Sequence, residues 1–263
     1  LKSILKYLCF FVTLYILAEA GINNAIFPFA TGLYLSLVWC GLKGYILAPL
    51  YILATLAHGF NIPSLISCCA CALTILLITG LHYKLKKPVK LSLYLVYALI
   101  SQIGFVFSEV YFNGAIVTAF ISVVSSILFM QCCNQIFSAL LIRGFAYKLS
   151  SLEIISACVF LGAISCGLTA YNFWGFELIK LFAIFAILFS AYTFNVSSTL
   201  IIGITMGLGS LLYANNPEFL APFSLFALTA VAFKSKYKFI PCIAIIAVDL
   251  CIGYFVGVYY SYT

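Results

Sequence analysis

Basic residues occur in alternate gaps between the long apolar runs of this chain. Twelve of the thirteen Lys and Arg residues follow this pattern, and Lys180 is the exception. Cytoplasmic loops of membrane proteins are enriched in Lys and Arg, so the alternation predicts a many-pass membrane protein whose N-terminus is cytoplasmic. The twelve residues are Lys2, Lys6, Lys43, Lys84, Lys86, Lys87, Lys90, Arg143, Lys148, Lys234, Lys236 and Lys238.

The composition excludes a soluble fold. Hydrophobic residues make up 65% of the chain and charged residues 7%, whereas a soluble domain carries roughly 25% charged residues. A net charge of +7 would suggest a nucleic-acid partner if the topology were ignored. Basic residues in inner loops instead face anionic lipid headgroups. We therefore predict the lipid bilayer, and no nucleic acid, as a partner.

The lengths of the apolar runs predict an all-α transmembrane helix bundle, because a span needs about 17–25 mostly apolar residues. We predict about eleven spans in a single polytopic domain over residues 1–263, the second and third being short. Eleven spans would leave the last residue outside, so we expect the chain to continue into a twelfth. Residues 134–148 predict an amphipathic helix at the inner surface. The predicted spans are 4–20, 27–42, 44–58, 62–81, 91–107, 113–133, 152–170, 177–193, 196–213, 218–233 and 239–260.

An internal repeat is visible at the predicted outer turns. Glu-x-x-x-Asn-Asn-Ala-Ile after the first span matches Glu-x-x-x-Asn-Gly-Ala-Ile after the fifth, and an Asn-Asn pair follows the ninth. The recurrence of this pattern after every fourth span predicts four-span repeats beginning near residues 1, 91 and 196. Chance similarity among apolar sequences is the alternative. The outer-turn residues of the pattern are Glu19, Asn23, Asn24, Glu109, Asn113, Asn215 and Asn216.

Asp249 is a candidate intramembrane polar site, because it lies near the middle of the last predicted span. A charged side chain at that depth costs several kcal/mol, so such residues usually face a bundle interior and often serve function. Gln102, Asn134 or a Tyr hydroxyl would be a suitable partner. A protonated carboxyl that only packs is the alternative.

The ninth predicted span carries a glycine face, Gly203-x-x-x-Gly207-x-Gly209. Small residues at this spacing let two helix backbones approach closely. The face predicts helix packing inside the bundle or self-association between copies, and the sequence leaves both open.

The sequence predicts no catalytic, cofactor or metal site. Phosphate-binding glycine loops, His-Glu-x-x-His and Gly-x-Ser-x-Gly do not occur. The Cys68-Cys69-x-Cys71 cluster lacks paired histidines. His58 and His82 are predicted at span ends on opposite sides of the membrane, so they cannot ligate one metal.

From about residue 90 onward, the order of features resembles the N-terminal membrane domain of the stage II sporulation protein E family, septal serine phosphatases of endospore-forming Firmicutes. A basic inner segment runs into Ser-Leu-Glu-Ile-Ile at 151–155, and the glycine-rich ninth span follows. The Asn-Asn turn comes next, and then a span closed by Phe233-Lys234. Nearer the start, Ile-Phe-Pro-Phe-Ala at 26–30 matches the element after the first span of that family.

The resemblance implies a domain that anchors, localises and oligomerises a cytoplasmic phosphatase at the sporulation septum. In that family the enzyme activates a forespore sigma factor by dephosphorylating an anti-anti-sigma factor. Its manganese ligands lie in a separate domain, so the resemblance assigns no catalytic residue here. It implies cell-division and sporulation septum proteins as partners, in the bacterial cell membrane. The alternative is a small-molecule or vitamin transporter subunit that uses Asp249 and the outer Asn turns.

Overall fold

The computed structural model describes residues 2–22, 26–58, 62–85, 90–139, 150–173, 176–214, 219–234 and 239–262. These residues are almost entirely helical, which confirms the all-α prediction. The chain forms two compact units, Leu1–Phe160 (unit 1) and Leu161–Thr263 (unit 2). The helices are α1 (Lys2–Glu19), α2 (Phe29–Trp39), α3 (Gly44–Leu56), α4 (Ile62–Leu85), α5 (Leu91–Ser101), α6 (Ile103–Asn113), α7 (Ile116–Ser138), α8 (Ser151–Leu168), α9 (Leu178–Thr193), α10 (Val196–Ala214), α11 (Leu220–Ala232) and α12 (Phe239–Tyr262).

Each predicted span contains helix, and the fifth contains two helices, α5 and α6. Five stretches of the described chain are long and apolar enough to cross a membrane, and the remaining apolar helices are shorter. This composition is compatible with a membrane protein, while the count of eleven spans and the orientation stay predictions. The five stretches are Pro63–Lys84, Leu91–Phe112, Ile116–Ser138, Ser151–Leu168 and Val196–Tyr213.

The amphipathic helix predicted over 134–148 is wrong at its start. Residues 134–138 are the last turn of α7, which runs without a break from Ile116 to Ser138. Residues 134–138 contain no proline or glycine, so nothing in this segment breaks the helix after residue 133. Residues 140–149 lie outside the described part of the chain.

Two glycines allow helices to end in tight turns. Gly41 after α2 has φ +83° and Gly114 after α6 has φ +64°. A side chain is strained in this left-handed region, whereas glycine adopts it readily and often terminates helices. The short connection at Gly41 brings α3 back beside α2.

Glu153 caps the start of α8. The Ser150 backbone N–H donates to Glu153 Oε2 at 2.7 Å, and the Glu153 N–H donates to Ser150 Oγ at 3.4 Å. This reciprocal pair is a capping box, which satisfies backbone donors at a helix N-terminus. The carboxyl is therefore used locally.

Unit 1 is held together by close backbone contacts and a buried aromatic pair. At Gly32 of α2, an added Cβ would lie 2.6 Å from the Ser126 carbonyl oxygen of α7, so only glycine permits this approach. Nearby, the Tyr34 and Tyr51 rings stack with centroids 4.7 Å apart, and both side chains are fully buried. These contacts fix α2 against α3 and α7.

Unit 2 uses the predicted glycine face for packing within the chain. An added Cβ at Gly203 would lie 2.7 Å from the Phe223 carbonyl oxygen, and at Gly207 it would lie 2.7 Å from Leu220 Cα, both on α11. Gly209 approaches the backbone of Gly162 in α8 just as closely. The face is covered by helices of its own unit, which favours the internal-packing interpretation over self-association.

Lys180, the exception to the basic-residue pattern, lies in the first turn of α9. Its Nζ is 3.0 Å from Glu177 Oε2, one turn before it. A two-residue antiparallel pair, β1 (Asn172–Phe173) and β2 (Phe176–Glu177), immediately precedes this helix. The charge of Lys180 is thus balanced locally, which explains why it does not follow the inner-loop pattern.

Candidate ligand-binding cavity in unit 1

Unit 1 contains a partly open cavity of about 310 Å³ whose wall is rich in polar side chains. Two carboxyls, one imidazole and one carboxamide line it together with hydroxyls, thiols and aromatic rings. The lining residues are Ala18, Glu19, Phe27, Ala30, Thr31, Tyr51, Thr55, His58, Ser64, Ser67, Cys68, Cys71, Gln102, Phe105, Glu109, Ser122 and Ser126.

A carboxylate–imidazole pair forms one end of the cavity. His58 Nδ1 lies 2.8 Å from Glu19 Oε2, and His58 Nε2 lies 2.9 Å from the Tyr15 carbonyl oxygen. The His58 ring also packs on the Tyr15 ring, with centroids 4.3 Å apart. Glu19 ends α1 and His58 follows α3, so packing of these two helices brings the pair together.

The geometry of His58 fixes the net charge of this pair. A carbonyl oxygen can only accept, so Nε2 must carry a hydrogen. The contact between Nδ1 and Glu19 then holds a single proton, which resides on the imidazole in an ion pair or on the carboxyl in a neutral pair. In either arrangement the net charge of the two side chains together is zero.

Gln102 interrupts the helix of the fifth predicted span. It is a turn residue between α5 and α6 with φ −88° and ψ −4°, and its backbone N–H donates to the Leu99 carbonyl at 3.1 Å. Two residues later, an added Cβ at Gly104 would lie 2.5 Å from Ala70 Cβ of α4. Breaks in membrane helices have identifiable causes and are tolerated where the chain lines a cavity. Gln102, at this turn, lies on the cavity wall.

The Gln102 carboxamide is buried with an unused donor. Its side chain is 3% exposed, and its Nε2 has no hydrogen-bond partner. Leaving a buried donor unsatisfied costs about 1–3 kcal/mol. This donor is available to a water molecule or to another hydrogen-bond acceptor in the cavity.

Hydroxyl groups line the deeper wall. Tyr51 Oη and Thr31 Oγ1 are hydrogen-bonded at 2.8 Å. Ser126 donates to the Ser122 carbonyl at 2.8 Å, one turn earlier in α7. Each hydroxyl keeps acceptor capacity toward the cavity, because it has two lone pairs.

The structure brings two of the predicted outer-turn residues, Glu19 and Glu109, to this one cavity. The sequence pairs them only as equivalent positions of a repeat. Asn113 is the last residue of α6, and its side chain lies outside the described part of the structure. The four asparagines Asn23, Asn24, Asn215 and Asn216 lie outside the described residues.

Asp249 is half-buried on α12 of unit 2. Its carboxylate makes no hydrogen bond or ion pair within the described ranges. The partners suggested for it, Gln102 and Asn134, belong to unit 1, and Gln102 lines the cavity. A functional role for Asp249 with one of these partners or with a Tyr hydroxyl stays a prediction.

Sequence reasoning missed His58, Tyr51 and Thr31 as site residues. A signal for His58 was present, since its predicted position lies on the same side of the membrane as Glu19. The spacing of Ser122 and Ser126, four residues apart within an apolar span, likewise places two hydroxyls on one helix face.

The cavity does not have the ligands of a metal centre. Among the described residues, no group of three His, Cys, Asp or Glu side chains is placed to share a metal ion.

Comparison of the chain with protein-family models, curated proteins and solved structures found no match.

Proposed function

We propose that this chain is the membrane domain of a sporulation serine phosphatase of the kind it resembles, the stage II sporulation protein E family. In this proposal it anchors the enzyme in the bacterial cell membrane, localises it to the septum and brings copies together. The order of features from about residue 90 to the end carries the proposal. Dephosphorylation of an anti-anti-sigma factor, and the resulting sigma-factor activation, belong to a separate cytoplasmic domain.

The residues that carry the resemblance have defined packing roles, which supports the proposal. Glu153 caps α8, Gly203 and Gly207 let α10 approach α11, and Phe233 caps the end of α11. Features that position helices are suited to an anchoring domain, whose membrane part does mechanical work.

The proposal assigns manganese to the separate phosphatase domain and self-association to this chain. No described residue is assigned to manganese, because none belongs to a group of three metal-ligating side chains; the metal belongs to the separate phosphatase domain. Self-association and septum proteins remain proposed partners. Because α11 and α8 pack closely against the glycine face of α10, the proposal favours another surface for self-association.

The proposal includes eleven spans and a cytoplasmic N-terminus. The meeting of Glu19 with His58 supports it, since both residues lie at predicted outer span ends. Green fluorescent protein fused after Lys43 or Lys90 should fluoresce, whereas alkaline phosphatase fused after Gly21 or Gly114 should be active. The reverse pattern of fluorescence and phosphatase activity would contradict the orientation.

Reading the coding sequence downstream of Thr263 tests the phosphatase proposal. We expect a further apolar span and then a soluble region with spaced metal-binding aspartates. A fluorescent fusion of the full protein should collect at the septum during sporulation, and a fusion lacking residues 1–263 should stay in the cytoplasm. A stop codon within a few residues would overturn the proposal.

A second candidate function is that of a small-molecule transporter or vitamin-importer membrane subunit. The observation that favours it is the helix break at Gln102 on a polar cavity, because transporters place substrate sites at discontinuous helices near mid-membrane. The site would then be the unit 1 cavity rather than Asp249. A deletion strain that sporulates normally but fails to accumulate a solute would favour this candidate over the phosphatase anchor.

A further inference from the structure

We infer that a groove between α9 and α12 of unit 2 binds one anionic phospholipid, with an acyl chain along the groove and the phosphate beside Lys234. This inference goes beyond the proposed function, because a membrane anchor and a transporter subunit could both hold such a lipid. It rests on the exposed apolar wall of the groove, the position of the Lys234 ammonium and an unused hydroxyl of Tyr192.

The groove is apolar and open at the surface of unit 2. α9 and α12 both pack mainly against α11 rather than against each other, and a space of about 390 Å³ lies between them. Phe185 and Phe189 on its wall are 65% and 56% exposed. Contiguous exposed apolar surface of this kind is typical of membrane contact. The lining residues are Phe185, Leu188, Phe189, Tyr192, Thr193 and Cys242.

The lining residues of α9 form a straight apolar wall. Positions 185, 188, 189, 192 and 193 follow the spacing of three and four residues that places side chains on one helix face. From Phe185 to Thr193 this face extends about 12 Å along the helix axis. One leaflet contributes about 15 Å, half of the hydrocarbon core of a bilayer. The groove is therefore long enough to hold most of one leaflet's depth of acyl chain.

The acyl chain by itself cannot select a particular lipid. The groove wall and the surrounding lipid tails are both apolar, so transfer of a chain from the bilayer into the groove gains packing but no hydrophobic free energy. Selectivity must therefore come from the end of the groove at which a headgroup lies.

Lys234 places a positive charge at the Tyr192 end of the groove. Its Nζ lies over the Tyr192 ring, 6.0 Å from the ring centroid. Within the described part of the chain, no carboxylate pairs with Lys234. Lys234 also belongs to a predicted cytoplasmic loop, and basic side chains at that surface attract anionic lipids. The ammonium is therefore available to a lipid phosphate.

Tyr192 provides a hydrogen-bond donor at the same end. Its hydroxyl is buried and has no hydrogen-bond partner among the described residues. A buried hydroxyl without a partner is unfavourable, and an anionic phosphate oxygen is a strong acceptor. A phosphate that contacts both the ammonium and the hydroxyl would satisfy both groups, whereas an uncharged headgroup would leave the ammonium without an anion.

The probes separate the contribution of the headgroup from that of the tail. Dioleoyl phosphatidylglycerol is anionic, dioleoyl phosphatidylcholine has the same tails without net charge, and glycerol 3-phosphate has the phosphate without tails. We would titrate each into the purified full chain in detergent and measure the bound fraction by native mass spectrometry. We expect one phosphatidylglycerol to bind about fivefold or more tightly than phosphatidylcholine, and glycerol 3-phosphate to show no saturable binding.

Three variants locate the site. Lys234→Gln should remove most of the preference for phosphatidylglycerol, because it removes the charge at the headgroup end. Tyr192→Phe should weaken both lipids by about threefold or more, because both carry a phosphate that accepts from the hydroxyl. Thr193→Phe places a larger side chain in the groove and should weaken both lipids without changing the preference.

Lys180→Gln is the matched control. Lys180 also lies beside an aromatic ring, with its Nζ 5.8 Å from the Phe219 centroid, but Glu177 pairs with it at 3.0 Å. Because this charge is already balanced, the variant should bind both lipids as the wild-type chain does.

Equal binding of the two lipids by the wild-type chain would overturn the inference. An equal loss of preference in Lys180→Gln and Lys234→Gln would also overturn it, because the attraction would then be spread over the surface. Binding of glycerol 3-phosphate as tight as that of phosphatidylglycerol would leave the groove without a role. Since every readout is lipid binding, failure here is distinct from failure of the phosphatase proposal.

Discussion

Replacing Gly207 by Leu should unfold or strongly destabilise unit 2 rather than simply dissociate an oligomer. The added Cβ would lie 2.7 Å from Leu220 Cα and 3.2 Å from the Phe219 carbonyl oxygen, and backbone atoms cannot rotate away as side chains can. Overpacking a well-packed core typically costs about 1–3 kcal/mol. We expect the high end or more here, because two helices must separate. The measurement is the thermal midpoint of the purified chain in detergent.

Gly253→Leu is the matched control for this prediction. Gly253 lies on α12 of the same unit, and an added Cβ there would meet no atom within 4 Å. The same substitution should therefore be neutral or slightly stabilising, since Gly is the poorer helix former. An unchanged midpoint for Gly207→Leu, together with loss of oligomers, would contradict internal packing and restore the self-association interpretation.

The positions of the helices could be predicted from the sequence because they depend on local properties. Apolar run length alone locates helix in every predicted span, and the capping pattern of Ser150 and Glu153 marks the start of α8. Close helix packing at Gly203 and Gly207 also follows from spacing. The partner helix does not, since the same face could meet α11 or another copy.

The cavity could be predicted only in part because it depends on packing between distant segments. Glu19 and Glu109 stand out as repeat positions, but the contact of Glu19 with His58 requires α1 and α3 to lie side by side. No proline lies next to Gln102 to mark the helix break in the sequence. Gly104 beside Ala70 of α4 is the nearest cause, and that contact is invisible in the sequence.

The second large effect should come from breaking the pair between Glu19 and His58. Glu19→Ala and His58→Ala should each lower the free energy of unfolding by about 1–3 kcal/mol, because each removes a hydrogen bond at the cavity wall and leaves its partner unsatisfied. The double variant should lose less than the sum. The coupling free energy from this cycle, measured by denaturant titration in mixed micelles, isolates the contact itself.

The pair Glu177 and Lys180 of unit 2 provides the comparison that decides what this coupling means. Its atoms are separated by 3.0 Å, but its side chains are 36% and 42% exposed, against 27% and 15% for Glu19 and His58. Exposed ion pairs couple by about 0.2–1 kcal/mol because water screens them. The cavity pair should exceed this value clearly, since His58 is also held by the Tyr15 carbonyl and ring. Equal coupling free energies in the two cycles would show that this end of the cavity is hydrated like a protein surface. The polar wall of the cavity would then not be preorganised.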